Sequence, residues 1–187
     1  MKIEKLNSMV MALFFNLLVA CNIGLIEKAK MALESSSRDL KNKILKIKEE
    51  AAKKGVLFAA FTNSKAGSKV TSGGPTLREA KVQVIGETRK FLKIIEKEAL
   101  KLKETGNSSQ FLAMFDLMLE AVESLEEIGI TDIKPRILEE AESNPINTAE
   151  RLLEVKVKIE NQLEAVKVKQ NIKKNGEKKN NKGKKKK

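Results

Sequence analysis

Glycine and proline divide this chain at Gly55, at Gly73-Gly74-Pro75, at Gly106, at Gly129 and at Asn144-Pro145. Between these breaks apolar residues recur at steps of three, four and seven, and no useful length of period-two alternation appears anywhere. Such spacing lines one face of an α-helix, and a glycine or proline following the stripe stops it. The pattern therefore predicts an all-α fold, a bundle of five helices whose long members run antiparallel. With no tryptophan or tyrosine and few phenylalanines, the core is left to Leu, Ile, Val, Ala and Met.

The first helix is expected over Ile26–Lys54, with Leu33, Leu40, Ile44, Ile47 and Ala51 inward and a thin stretch between Ser35 and Asp39 where it frays or breaks. The apolar run Val56–Phe61 adds a helical turn or packs across the bundle. Residues 62–75 then form a loop longer than most connections in a compact domain, a kind often functional, and it carries Lys65 and Lys69 with no acid. Thr76 and Glu79 have the spacing of a capping box and start a second helix that buries Leu77, Ala80, Val84, Phe91, Ile95 and Leu102 and ends at Gly106. The third helix, from Ser108 to about Ile128, is apolar on nearly every face up to Glu120, which predicts a central position. A short fourth helix over Asp132–Glu142 turns Ile133, Ile137, Leu138 and Ala141 inward. Asn147 and Glu150 repeat the capping-box spacing ahead of a fifth helix, Thr148–Gln170, with Leu152, Ile159, Leu163 and Val166 on one face.

Two ends stand apart from this body. At the start, Lys2 and Lys5 precede an apolar run from Val10 to Ala20 interrupted only by Asn16. The run is as long as a signal-peptide core and short of the roughly 20 residues a membrane-spanning helix needs. Leu18-Val19-Ala20-Cys21, with the only cysteine of the chain, resembles a bacterial lipobox. That pattern implies a signal peptide over residues 1–20, lipid on Cys21, and a tether over residues 21–25 that reaches at most about 15 Å. The same residues also fit an ordinary secretory signal with a stray cysteine, or a buried thiol in a cytosolic helix. At the other end, residues 171–187 hold nine lysines and one acid, +8 of the net +12. One apolar residue, Ile172, gives this segment nothing to bury, and it is expected to be a disordered polybasic tail. The body, residues 21–170, keeps only +3.

Catalysis finds little to work with. There is no histidine to serve as base or metal ligand, and the single thiol is assigned to the anchor. The carboxylate pairs Glu49-Glu50, Glu126-Glu127 and Glu139-Glu140 are helix neighbours pointing about 100° apart, so they do not converge on one atom. Ser72-Gly73-Gly74-Pro75 lacks the lysine of a phosphate-binding loop. Neither an enzyme, a metal nor a cofactor is expected. The basic residues are more informative. Lys156, Lys158, Lys167 and Lys169 on the fifth helix lead into the tail, with Lys173, Lys174, Lys184, Lys185, Lys186 and Lys187 among its charges. Lysines in this density suit a polyanion, whose counterions are released on binding. No aromatic residue interleaves them to stack on bases, so nucleic acid is not the expected partner. An anionic membrane surface or a sulfated polysaccharide is.

The signal MKIEKLNSMVMALFFNLLVAC, the stretch LESSSRDLKNKILKIKEEA, the segment REAKVQVIGETRKFLKIIEKEALKLKETGNSSQFLAMFDLMLE and the end from NPINTAERLLE to GEKKNNKGKKKK closely resemble the decorin-binding surface lipoproteins (adhesins) of the Lyme spirochaetes. The resemblance covers essentially the whole chain. It implies a helical bundle, lipid-anchored at Cys21 in the bacterial outer membrane and exposed at the cell surface. Its implied partners are host decorin and decorin's glycosaminoglycan chains, dermatan sulfate and heparin-like chains. Of three lysines associated with ligand binding in a sister member, one falls in the Glu-Ala-Lys-Val motif on Lys81, one on Lys169, and the third on Gln162, which Lys158 and Lys167 flank. A basic loop of that member corresponds to Lys65, with Lys69 additional. The resulting expectation is a divided site, with Lys81 and Lys169 on a patch between the second and fifth helices and the loop and tail wrapping a sulfated chain. The competing reading is an envelope structural or protein-binding bundle whose basic tail grips anionic membrane.

Overall fold

The computed structural model describes residues 29–58 and 74–183, with residues 171–183 described as backbone alone. The signal segment, Cys21 and its tether, the loop lysines Lys65 and Lys69, and Lys184 to Lys187 lie outside these residues. The described residues form five helices and no sheet: α1 (29–53), α2 (Gly74–Lys101), α3 (Ser108–Ser124), α4 (Ile133–Ser143) and α5 (Ala149–Gly183), with a 3-10 turn, Leu125–Ile128, between α3 and α4. This is the all-α, five-helix class that the glycine and proline breaks predict. Among the described residues no helix is long and apolar enough to cross a membrane.

Two of the breaks work as predicted. Gly55 and Gly129 both take left-handed conformations, φ 87° and 75°. At each, two backbone amides fold back onto the preceding turn: Gly55 N–H to Ala52 and Val56 N–H to Ala51, then Gly129 N–H to Glu126 and Ile130 N–H to Leu125. The residue after each glycine, Val56 or Ile130, is buried, which completes the capping motif. Gly106 has a different task. Helix α2 ends earlier, at Lys101, and Gly106 sits where an added Cβ would lie 2.6 Å from the Leu102 carbonyl oxygen and 2.7 Å from the Phe111 ring.

The expected helix starts shift by small steps. Helix α2 begins at Gly74, so Thr76 lies inside it and the Thr76–Glu79 capping box does not form the start. Thr148, not Asn147, caps α5, its hydroxyl accepting from the Arg151 N–H at 3.2 Å. The capping box that does form belongs to α3: Asn107 accepts from the Gln110 N–H, and the Gln110 side chain accepts from the Asn107 N–H.

Helix α1 neither frays nor breaks at its thin stretch. Ser37 occupies the missing stripe position, buried between Leu33 and Leu40, and its hydroxyl donates to Glu120 of α3 at 3.5 Å. Lys41 to Glu120, Lys48 to Glu127 and Lys43 to Glu87 tie the outer edges of α1 to α3, the 3-10 turn and α2. The expected central helix is less enclosed than its sequence suggests. Helix α3 buries Phe111, Met114, Phe115, Met118, Ala121 and Val122, but Leu112 is half exposed. Leu138 of α4 also faces outward at 37% exposure, while Ile133 and Ile137 are buried and Ala141 packs against the core partly buried.

The most extensive pairing among α2 to α5 is α2 against α5. Ala80, Val84, Thr88, Leu92, Ile95 and Ala99 on one helix and Leu152, Val155, Ile159 and Leu163 on the other are buried. A ladder of charge runs along the edge of this seam. Lys156 of α5, only 5% exposed, bonds Glu96 of α2 at 2.6 Å and Glu160 at 3.0 Å. Arg89 of α2 reaches Glu164 at 2.6 Å and the Glu160 carbonyl at 3.3 Å. The ladder fixes an antiparallel register. Burial pulls the Lys156 ammonium toward deprotonation, but the hydrogen bonds from Glu96 and Glu160 outweigh it and hold its pKa above the usual 10.5. Helix α5 also differs from its expected span: it continues past Gln170 to Gly183. In residues 171–183 five lysines and Glu177 favour helix while four asparagines and two glycines do not, so propagation from the core-anchored part of α5, which needs no new nucleus, carries the helix on.

Three outcomes follow from the seam and the Gly106 contact. Lys156→Ala should lower unfolding free energy by about 2 kcal/mol and Lys156→Met by less than about 1 kcal/mol, read by urea titration, because the methionine fills the volume that the alanine leaves empty. Since the folded pKa of Lys156 is raised, the ion-pair part of its contribution is complete below 10.5 and is lost as the pH rises through the folded value, so the stability gap between the alanine variant and the wild type should narrow at strongly alkaline pH to the part due to lost volume. Gly106→Ala should cost about 1–3 kcal/mol, because the nearest obstruction is a backbone carbonyl that cannot swing aside.

Candidate functional site

Where the charge ladder of the α2–α5 seam runs out, a shallow groove of about 250 Å3 opens. Its walls come from three places. Lys81 stands on α2, the connection Gly129–Asp132 crosses one end with Arg136 of α4 beyond it, and Gln162, Val166 and Lys169 form the α5 side. The α5 residues follow steps of four and three, one stripe of a helix, so the same regularity that buries Leu163 on the neighbouring face delivers them to the groove. Lys81 and Lys169, expected to share a face, do line one groove.

The Lys81 ammonium is held in place by the fold. It donates to the carbonyl of Gly129 at 2.7 Å. That carbonyl belongs to the left-handed cap closing the 3-10 turn, so a glycine chosen for backbone reasons also positions a lysine of another helix. Lys169 is exposed. Asp132 is the one carboxylate among the groove residues, and it accepts from the Thr131 hydroxyl at 3.4 Å. Lys81, Arg136 and Lys169 against Asp132 leave the groove positive.

The other lysines of the fifth helix and beyond divide sharply. Lys156 is buried in the seam and committed to Glu96 and Glu160, so it offers no charge to a ligand. Lys158 is exposed but pairs with Glu140, and it stands outside the groove. Glu140 is shared: Lys158 and then Arg151, at 2.5 Å, hold its carboxyl below the usual carboxylate range. Lys167 is partly exposed on α5 and does not line the groove; among the described residues it makes no ion pair. The backbone carrying Lys173 and Lys174 continues α5 beyond Lys169, while their side chains, with Lys65, Lys69 and Lys184 to Lys187, lie outside the described residues.

Sequence reasoning missed Arg136. Its signal was modest, a cation between two inward isoleucines, Ile133 and Ile137, on a helix with only one other basic residue. That other residue, Lys134, pairs with Glu123 at 2.9 Å. Arg136 is exposed and makes no ion pair among the described residues.

A family model described as decorin binding protein matches residues 28–186 of the chain. Decorin-binding protein B of Borreliella burgdorferi strain N40 is 75% identical over 187 residues, covering all of both chains. Decorin-binding protein A of the same species is 42% identical over 160 residues, 86% of this chain and 82% of that one. Among solved structures, the solution structure of decorin binding protein B from Borrelia burgdorferi superposes with a TM-score of 0.62 at 76% identity, covering 83% of this chain and 93% of the other. The structure of decorin binding protein A from strain N40 superposes equally well, with a TM-score of 0.62 at 41% identity over 78% of this chain and 87% of that chain. Matched along nearly its whole length in both sequence and helical fold, the chain belongs to the decorin-binding protein family.

Proposed function

We propose that this chain is a lipid-anchored surface adhesin that binds decorin through the sulfated glycosaminoglycan chains, dermatan sulfate and heparin-like chains, and so attaches the cell to host extracellular matrix. The observation that carries the reading is the convergence of Lys81 and Lys169, from two antiparallel helices, on one open groove. A sulfated chain would bring anions to the three cations that line the groove, Lys81, Arg136 and Lys169. An open groove also suits a polymer, which enters and leaves along its length, better than it suits a small molecule that needs enclosure.

In this reading the groove is one part of a longer contact. The lysines from Lys173 and Lys174 to Lys184, Lys185, Lys186 and Lys187 extend the positive surface beyond Lys169, and Lys65 and Lys69 add to it from the loop. Lysine ammoniums are compact point charges without a fixed fork, so binding follows sulfate density and weakens steeply with salt. Lys158, already paired with Glu140, contributes little. Cys21 carries the lipid, and the family's names for decorin supply the partner class.

The double variant Lys81→Ala, Lys169→Ala should bind immobilised dermatan sulfate roughly ten- to thirty-fold more weakly at physiological salt, a loss of about 1 kcal/mol for each charge. Full affinity in that variant would remove the groove from the site. Lys158→Ala should stay within about two-fold of the wild type, since an exposed, already paired lysine adds little. Deleting Gly176–Lys187 should lower the salt concentration at which the protein elutes from heparin; unchanged elution would show that the tail takes no part. Protease added to intact cells should remove the protein, and protection from it would place the chain behind the outer membrane.

A further inference from the structure

We propose that Arg136 is the directional recognition residue of the groove, the group that seats a planar pair of anionic oxygens, a sulfate ester or a uronate carboxylate, and so sets the position of the polymer. The proposal rests on the groove being the polyanion site and adds a specificity element to it.

Three elements each bring one cation to the groove: Lys81 from α2, Lys169 from α5 and Arg136 from α4. Their chemistry differs. The Lys81 ammonium is anchored by the Gly129 carbonyl at 2.7 Å, and Lys169 stands exposed on the far wall. Both present point charges. Arg136 is the one guanidinium among the groove residues, and its donors match two coplanar oxygens at once, a geometry that an ammonium cannot reproduce.

The backbone beneath Arg136 is well placed to exploit this. Ile133 and Ile137, at 2% and 1% exposure, lock α4 into the core on either side of it, and Pro135 stiffens the first turn. Arg136 is therefore an exposed side chain on a fixed base, with no carboxylate committed to it among the described residues. Its helix neighbour Lys134 shows the contrast, since the Glu123 carboxylate already engages it at 2.9 Å. Gln162 is an uncharged residue of the same groove and offers an amide that both donates and accepts.

The test uses residues 22–187 and measures binding to dermatan sulfate and to heparin across a sodium chloride series. Arg136→Gln should weaken binding about five- to ten-fold and reduce the slope of log affinity against log salt by roughly one released counterion. Arg136→Lys should keep the slope, because the charge remains, yet still lose about three-fold or more in affinity, because the fork is gone. Lys134→Gln should match the wild type. Unchanged helical circular dichroism and thermal midpoint establish that the variants fold. Wild-type affinity in Arg136→Gln, alongside weakened binding in Lys81→Ala, Lys169→Ala, would overturn the role of Arg136 while leaving the groove intact. Wild-type binding in both would overturn the groove itself. Equal affinity of Arg136→Lys and the wild type would reduce Arg136 to a third point charge and overturn its directional role.

Discussion

A buried ammonium governs this structure. Lys156 lies inside the α2–α5 seam, and its desolvation is offset only because Glu96 of α2 and Glu160 of α5 both reach it. A slip of α5 along α2 would part Lys156 from Glu96 and leave it only Glu160, four residues along its own helix, so the cross-helix pair favours the observed register. The apolar residues supply most of the stability of the seam, and Leu, Ile and Val would accept several registers almost equally. The ion ladder from Glu96 to Glu164 selects one. That selection also sets Lys81 opposite Lys169, so the groove is a consequence of a salt bridge several turns away.

The helices were legible because their signals are local. Gly55 and Gly129 stop helices through their own backbone freedom, and three-four spacing marks the buried faces of α2 and α5 from within each segment. What the sequence obscured depends on neighbours. Ser37 looks like a gap in the apolar stripe until Glu120 of α3 appears beside it. Leu138 looks inward because it is a leucine, but the residues that α4 buries are Ile133 and Ile137. The start of α5 offers both Asn147 and Thr148 as caps, and spacing alone cannot choose between them.

The candidate site shows the same division more sharply. Lys156 and Lys158 are two residues apart and identical in type, yet one is sealed in the seam and the other is exposed beside Glu140. Helical spacing puts Lys156 in the stripe of Leu152, Ile159 and Leu163 and Lys158 off it, but only the packing shows the carboxylates that each one meets, Glu96 and Glu160 for the first and Glu140 for the second. Arg136 was hidden for the opposite reason. It belongs to the shortest helix, and its place in the groove follows from a turn closed by Gly129. Charge counting finds which residues are basic; only the packing shows which of them are spent.

Helix α5 is fastened to the core through Leu152, Val155, Ile159 and Leu163, and then continues to Gly183. From the last of these anchors to its end is about 30 Å of helix at 1.5 Å per residue. Mechanically it is a lever rooted beside the groove, with five lysines in its sequence between Gln170 and Gly183. A force applied far along it would act as a torque on the α2–α5 seam, where the ion pairs of Lys156 and Arg89 lie. The strength of an attachment made along such an arm is set by the root as much as by the tip.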